Sequence, residues 1–175
     1  DYDLSYKRHF PAINWLDSYS LYQDKIDKYI DHEVSPEFSK NRREAMGLLQ
    51  EESALQEIVR LVGRDSLSEE DQLKLEVTKS LREDFLQQNA FHDVDTYCSL
   101  KKQDLMMKLI LGFYHSAKDS LKHGAYLSEI EDLPVREKIA RSKNIEETNL
   151  AEFDAIFEEV KEELEGLKKG GSINA

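Results

Sequence analysis

The sequence predicts an all-α protein, a helical bundle spanning residues 18–169, and three observations predict it. Apolar residues recur three and four positions apart along most of the chain, which is the period of a helix face. No stretch alternates apolar and polar residues long enough to claim a strand. With only 7 Gly and 3 Pro in 175 residues, the chain has few points at which a helix must stop. Its 39% apolar residues suffice for a core, and its 34% charged residues suit long solvated helical faces.

The elements follow in order. Residues 1–17 hold Tyr6, Phe10, Pro11, Ile13 and Trp15 without a helical period, and Pro11 blocks a helix interior, so a loop or short strand edge is expected. A helix is expected over residues 18–32, with Tyr22, Ile26, Tyr29 and Ile30 on one side. Ser35-Pro36 is a restart, since Ser caps a helix and Pro suits its first position. The helix that follows carries Ala45, Leu48, Leu55, Val59 and Val62 and should stop at Gly63. Ser68-Glu69-Glu70-Asp71 resembles a capping box with Asp in the third position, and beyond it Leu73, Val77, Leu81 and Phe85 repeat every four residues. Residues 89–99 have no clean period and read as a loop.

Ser99 starts the strongest helix, with Met106, Ile110, Phe113, Ala117 and Leu121 on one face and Gly124 at its end. Two short helices are expected at 126–132 and 135–143, divided by Pro134. Finally Leu150, Phe153, Phe157, Val160, Leu164 and Leu167 form a seam of threes and fours. Residues 170–175, with Gly170-Gly171-Ser172, are expected to be a flexible tail.

Charge narrows the function classes. The 24 Lys and Arg against 36 Asp and Glu give a net charge of −12, which argues against a nucleic-acid footprint and against an anionic membrane surface. No apolar run approaches the roughly 18 residues of a membrane span. The single cysteine, Cys98, excludes an intrachain disulfide and a cysteine-built zinc site, and a reducing, cytosolic setting fits best. The chain opens at Asp1 with neither Met nor a signal pattern, and is expected to be an excised or processed piece.

Most chemical constellations reduce to ordinary structure. No phosphate loop and no G-x-G-x-x-G turn is present in the sequence. His92, Asp93 and Asp95 suit a polar turn better than a metal, and His115 with Asp119 lacks a third ligand. Three features remain: the aromatic stretch at 8–15, the acidic run Asp65-Ser66-Leu67-Ser68-Glu69-Glu70-Asp71, and the polar loop at 87–97 with Phe91 and Tyr97. Packing, capping and solvation would account for each of them taken singly. A free-standing acidic helical adaptor, binding a partner helix through its acidic face and C-terminal seam, explains the composition and periodicity equally well.

The order of the strings favours another reading. Arg-His-Phe-Pro-Ala-Ile-Asn-Trp-Leu at 8–16 and Ser-Tyr-Ser-Leu-Tyr at 18–22 resemble the catalytic A subunit of the V-type and archaeal A-type rotary ATPases. Leu-Gln-Glu-Ile-Val-Arg-Leu-Val-Gly at 55–63, Leu-Arg-Glu-Asp-Phe-Leu-Gln-Gln-Asn-Ala-Phe at 81–91, Asp-Val-Asp-Thr-Tyr-Cys at 93–98 and Leu-Pro-Val-Arg-Glu-Lys-Ile at 133–139 are similar to the same family. The acidic run also resembles the Asp-Glu-Leu-Ser-Glu-Glu-Asp signature of the related F-type β subunit, with Ser66 replacing its Glu.

The resemblance covers roughly residues 6–142 and implies the C-terminal region of a longer subunit. Residues 1–17 would then be the remnant of a nucleotide-binding domain, and 18–169 the C-terminal bundle. The phosphate loop, catalytic Glu and magnesium ligands precede this region in the family. The full subunit would therefore hydrolyse or synthesise ATP, coupled to proton or sodium transport, with ATP or ADP and Mg held there. The isolated chain should be inactive and bind none. Phe10, Phe91 and Tyr97 are implied to line the adenine pocket, and Asp65, Glu69, Glu70 and Asp71 to face the central stalk. The implied partners are B subunits alternating in a catalytic ring and the stalk subunits, with no nucleic acid. A cytoplasmic place is implied, peripheral to the membrane and without insertion into it.

Overall fold

A computed structural model describes residues 28–29, 31–86 and 99–169, and among them every regular element is a helix. The chain builds α1 (Phe38–Val62), a 3₁₀ turn (Arg64–Ser66), α2 (Glu69–Ser80) and a π-helical stretch (Leu81–Leu86). It continues with α3 (Leu100–Lys122), α4 (Leu127–Glu131), α5 (Val135–Arg141) and α6 (Glu152–Leu167). The all-α expectation holds.

The local signals act where the sequence placed them. Ser35 and Pro36 are the exception: Ser35 Oγ accepts from Glu37 N at 3.2 Å within a turn, and α1 starts only at Phe38 with Glu37 as its N-cap, two residues after the start expected at Pro36. Gly63 closes α1 at φ 93°. Ser68 Oγ accepts from Asp71 N at 3.1 Å to open α2, and Ser99 Oγ accepts from Lys102 N at 3.1 Å to open α3. Of the helix expected at 18–32, residues 28–29 and 31–33 are described and helical, but Tyr29 is exposed rather than turned to a core. The tail at 170–175 and the remnant at 1–17 lie outside the described residues.

α3 is the axis of the bundle, touching α1, α2, α5 and α6. Its burial is wider than the stripe expected, because Met107, Leu109, Leu111 and Tyr114 are enclosed along with Met106, Ile110, Phe113 and Ala117. An axial helix has neighbours on several sides, so one apolar stripe underestimates it. Even Lys102 is buried; its ammonium donates to the Lys143 carbonyl at 2.6 Å, which satisfies one of its three donors.

α6 lies along α3 and closes the C-terminal seam within the chain. Phe153, Ile156, Val160 and Leu164 are its buried residues, and Ser120 Oγ of α3 donates to the Leu164 carbonyl at 2.8 Å. Ile156 therefore takes the place expected of Phe157, which packs only at the edge. A seam covered by α3 is not open to a partner helix, contrary to the adaptor reading.

Leu73, Val77 and Leu81 are almost wholly enclosed and Phe85 is buried. Residues spaced four apart drift around a helix of 3.6 residues per turn, and the wider π turn at 81–86 brings Phe85 back to the core side. Glu52 of α1 clamps this turn. Its carboxylate is buried and accepts from Arg82 Nε at 3.1 and 3.2 Å and from Nη2 at 2.7 Å.

Candidate functional site

The acidic run forms a tip where α1 gives way to α2. After Gly63 the chain makes a single 3₁₀ turn, closed by Ser66 Oγ donating to the Gly63 carbonyl at 2.6 Å. Leu67 is buried, and Gln72 Nε2 donates to the Leu67 carbonyl at 3.1 Å. The tip is thus held by its own short bonds around one buried leucine.

Ion pairs tie it to the rest of the bundle. Arg64 bridges Glu76 of α2, at 3.3 Å, and Glu131 at the end of α4. Arg136 of α5 joins the same cluster, 2.8 Å from Glu76 and donating to the Glu131 carbonyl at 2.9 Å. Each carboxylate meets a guanidinium and each guanidinium meets two acceptors, so the cluster is more directional than single surface pairs. The effect is to hold the 63–68 turn against α4 and α5.

The four acidic residues do not behave alike. Glu70 reaches α3, 3.1 Å from Lys118, and that hydrogen bond holds the Lys118 ammonium above its ordinary pKa. Asp71 is 3.5 Å from Lys74, which also meets Glu51 of α1 at 3.1 Å. Burial is the strongest single influence and works against the Lys74 charge, but the Glu51 hydrogen bond together with the charges of Glu51, Tyr114 and Asp71 outweighs it, and the pKa is raised. Asp65 and Glu69 face solvent. The run therefore divides into two carboxylates that brace the bundle and two that point away from it. Glu70 owes its place to Lys118, distant in sequence, whereas Asp71 pairs within its own helix and reaches α1 only through Lys74.

Val62, expected in the core, is exposed together with Leu61 and Ile58. Among the described residues none encloses these three side chains, whereas Leu55 and Val59 on the same turns are half-buried. Sequence reasoning missed this surface because periodicity shows that a stripe exists, not what covers it.

Phe10, Phe91 and Tyr97 lie outside the described residues, as do His92, Asp93, Asp95 and Cys98. His115 pairs with Glu44 at 2.8 Å and Asp119 with Lys168 at 2.6 Å, as polar surface pairs do. Among the described residues no three His, Cys, Asp or Glu side chains converge to hold a metal, and no helix is long and apolar enough to cross a membrane.

Fold and tip together define an all-helical domain, a bundle that presents an exposed corner bearing acidic and apolar side chains. The family model for the C-terminal domain of V and A type ATP synthase matches residues 27–131, and the chain belongs to that family. Over its full length the chain is 59% identical to a V-type ATP synthase alpha chain of Clostridium botulinum and 57% identical to that of Thermoanaerobacter pseudethanolicus. It is 56% identical to V-type ATP synthase alpha chain 1 of Clostridium tetani. The chain spans about 30% of the length of these relatives.

Proposed function

We propose that this chain is the C-terminal helical part of a catalytic alpha chain in a rotary ATP synthase, transmitting motion between a central stalk and the nucleotide site. The carrying observation is the tip, an exposed corner braced to α2, α3, α4 and α5 by charge pairs. A corner of that kind moves with the bundle instead of folding away when pushed. Motion of the bundle is hinge closure, with the hinge assigned to residues 16–20.

In the full subunit, ATP or ADP and Mg are held upstream by the phosphate loop. Residues 1–17 complete that domain and residues 18–169 form the moving bundle. Phe10, Phe91 and Tyr97 line the adenine, where stacking favours flat apolar faces. The subunit alternates with B subunits in a ring at the cytoplasmic membrane face and couples ATP turnover to proton or sodium movement. This chain alone lacks a phosphate loop, and phosphoryl transfer needs one to position the γ-phosphate, so alone it is inactive.

The test uses the assembled complex. Replacing residues 64–70 by a Gly-Ser linker of equal length should uncouple ion pumping from ATP hydrolysis, and unchanged pumping per ATP would remove the stalk contact. Phe10→Ala should raise KM for ATP more than it lowers kcat, because the base is remote from the reacting phosphate. Unaltered nucleotide affinity in Phe10→Ala, Phe91→Ala and Tyr97→Ala alike would remove the adenine role.

A further inference from the structure

The connector 142–149 between α5 and α6 bonds to the chain on both sides of one segment, residues 87–98. On the entering side, Lys143 Nζ donates to the Glu83 carbonyl at 3.3 Å, within the π turn that ends at Leu86. On the leaving side, the Glu147 carboxylate accepts from Ser99 N at 2.9 Å and from Ser99 Oγ at 2.7 Å, with one oxygen for each. Three residues further on, Lys102 Nζ donates to the Lys143 carbonyl at 2.6 Å. Lys143 thus holds the π turn with its side chain and α3 with its backbone.

The bonds suit anchors. Ser99 is the N-cap of α3, and its hydroxyl accepts from Lys102 N at 3.1 Å, which is half of a capping box. The other half needs a carboxylate three residues on, where Lys102 stands with its ammonium turned to Lys143. Glu147, 48 residues away in sequence, supplies that missing bond to the Ser99 amide. A carboxylate at a helix N-terminus and an ammonium on a last-turn carbonyl both complement the helix dipole. The connector is itself held: Ser142 is buried, its Oγ donates to the Ile139 carbonyl at 2.7 Å, and 3₁₀ turns form at Ser142–Asn144 and Glu147–Asn149.

We infer that Lys143 and Glu147 are positioning residues for nucleotide binding, setting the spacing of the two stems that bound residues 87–98 and so presenting Phe91 and Tyr97 to the base. The inference rests on the adenine reading above and adds to it two residues that act through the segment, not on the base. Stems fixed before the nucleotide arrives lower the ordering cost of binding, so their loss belongs in affinity and not in the chemical step.

Hydrogen exchange of residues 87–98 and steady-state ATP turnover, measured on the same variants of the assembled complex, test this. Glu147 is exposed and Lys143 half-buried, so truncating them opens no cavity in the core. Glu147→Ala with Lys143→Ala should speed exchange of 87–98 about fivefold and raise KM for ATP by a similar factor, with kcat within about twofold of the parent. Glu147→Gln keeps one acceptor oxygen and should fall between the two. Unchanged KM in the double variant, beside raised KM in Phe91→Ala or Tyr97→Ala, overturns the inference and leaves the adenine reading standing. Raised KM without faster exchange also overturns it, because the effect would not pass through the segment. So does a kcat that falls as far as KM rises, together with a lower melting temperature, since that is the mark of a structural role alone. Unaltered KM in both Phe91→Ala and Tyr97→Ala overturns the adenine reading and this inference with it.

Discussion

Burial holds the Asp84 carboxyl above its ordinary value of 3.8, against the opposing pull of Lys143, a hydrogen bond from Ser80, and Arg136. Between the unfolded and folded values the native state binds more protons than the unfolded chain, so stability falls as pH rises through that window. Asp84→Asn removes the titration. The variant should be more stable than the parent at pH 7 and equal to it below the ordinary carboxyl value, measured by urea midpoints at several pH values. A less stable variant at pH 7 would mean that Lys143 and Ser80 outweigh burial. At this scale the sequence is legible only for local bonds. Ser68 and Ser99 announce their caps because the partner amide is three residues away. The Arg64–Glu131 and Arg82–Glu52 pairs, 67 and 30 residues apart, leave no local trace.

Elements end where the backbone requires it, and Gly63 is the sharpest case. Its φ of 93° and ψ of 160° lie in a region that residues with a Cβ scarcely enter, although open space surrounds the position. Gly63→Ala should therefore cost about 1–3 kcal/mol through backbone strain alone, read from denaturant unfolding. Since the 3₁₀ turn starts there, the same change should weaken the contacts of the tip. Helix boundaries from the end of α1 to α5 were readable from Ser, Gly and Pro at the ends. The π turn at 81–86 was not, because the four-residue repeat that implies it also suits an ordinary helix with a drifting stripe. What bends the repeat back is the core on one side and the Glu52 clamp on the other.

The bundle as a whole depends on α6 covering α3. Phe153 is wholly enclosed there, beside Val160 and Leu164. Phe153→Ala should destabilise the chain by about 3–5 kcal/mol, as for other buried Phe truncations, with the shift visible in the unfolding midpoint and the α-helical signal of the native state unchanged. By itself the sequence determined the all-helical class, the positions of the long helices, the acidic run and its caps, and the family resemblance, since all of these reside in period, punctuation and strings of adjacent residues. Only the tertiary structure decided that the C-terminal seam belongs to α3, that Glu70 and Asp71 brace the bundle while Asp65 and Glu69 face outward, and that the end of α1 is surface. Those outcomes depend on which helix happens to lie opposite, and periodicity records a face without naming its neighbour.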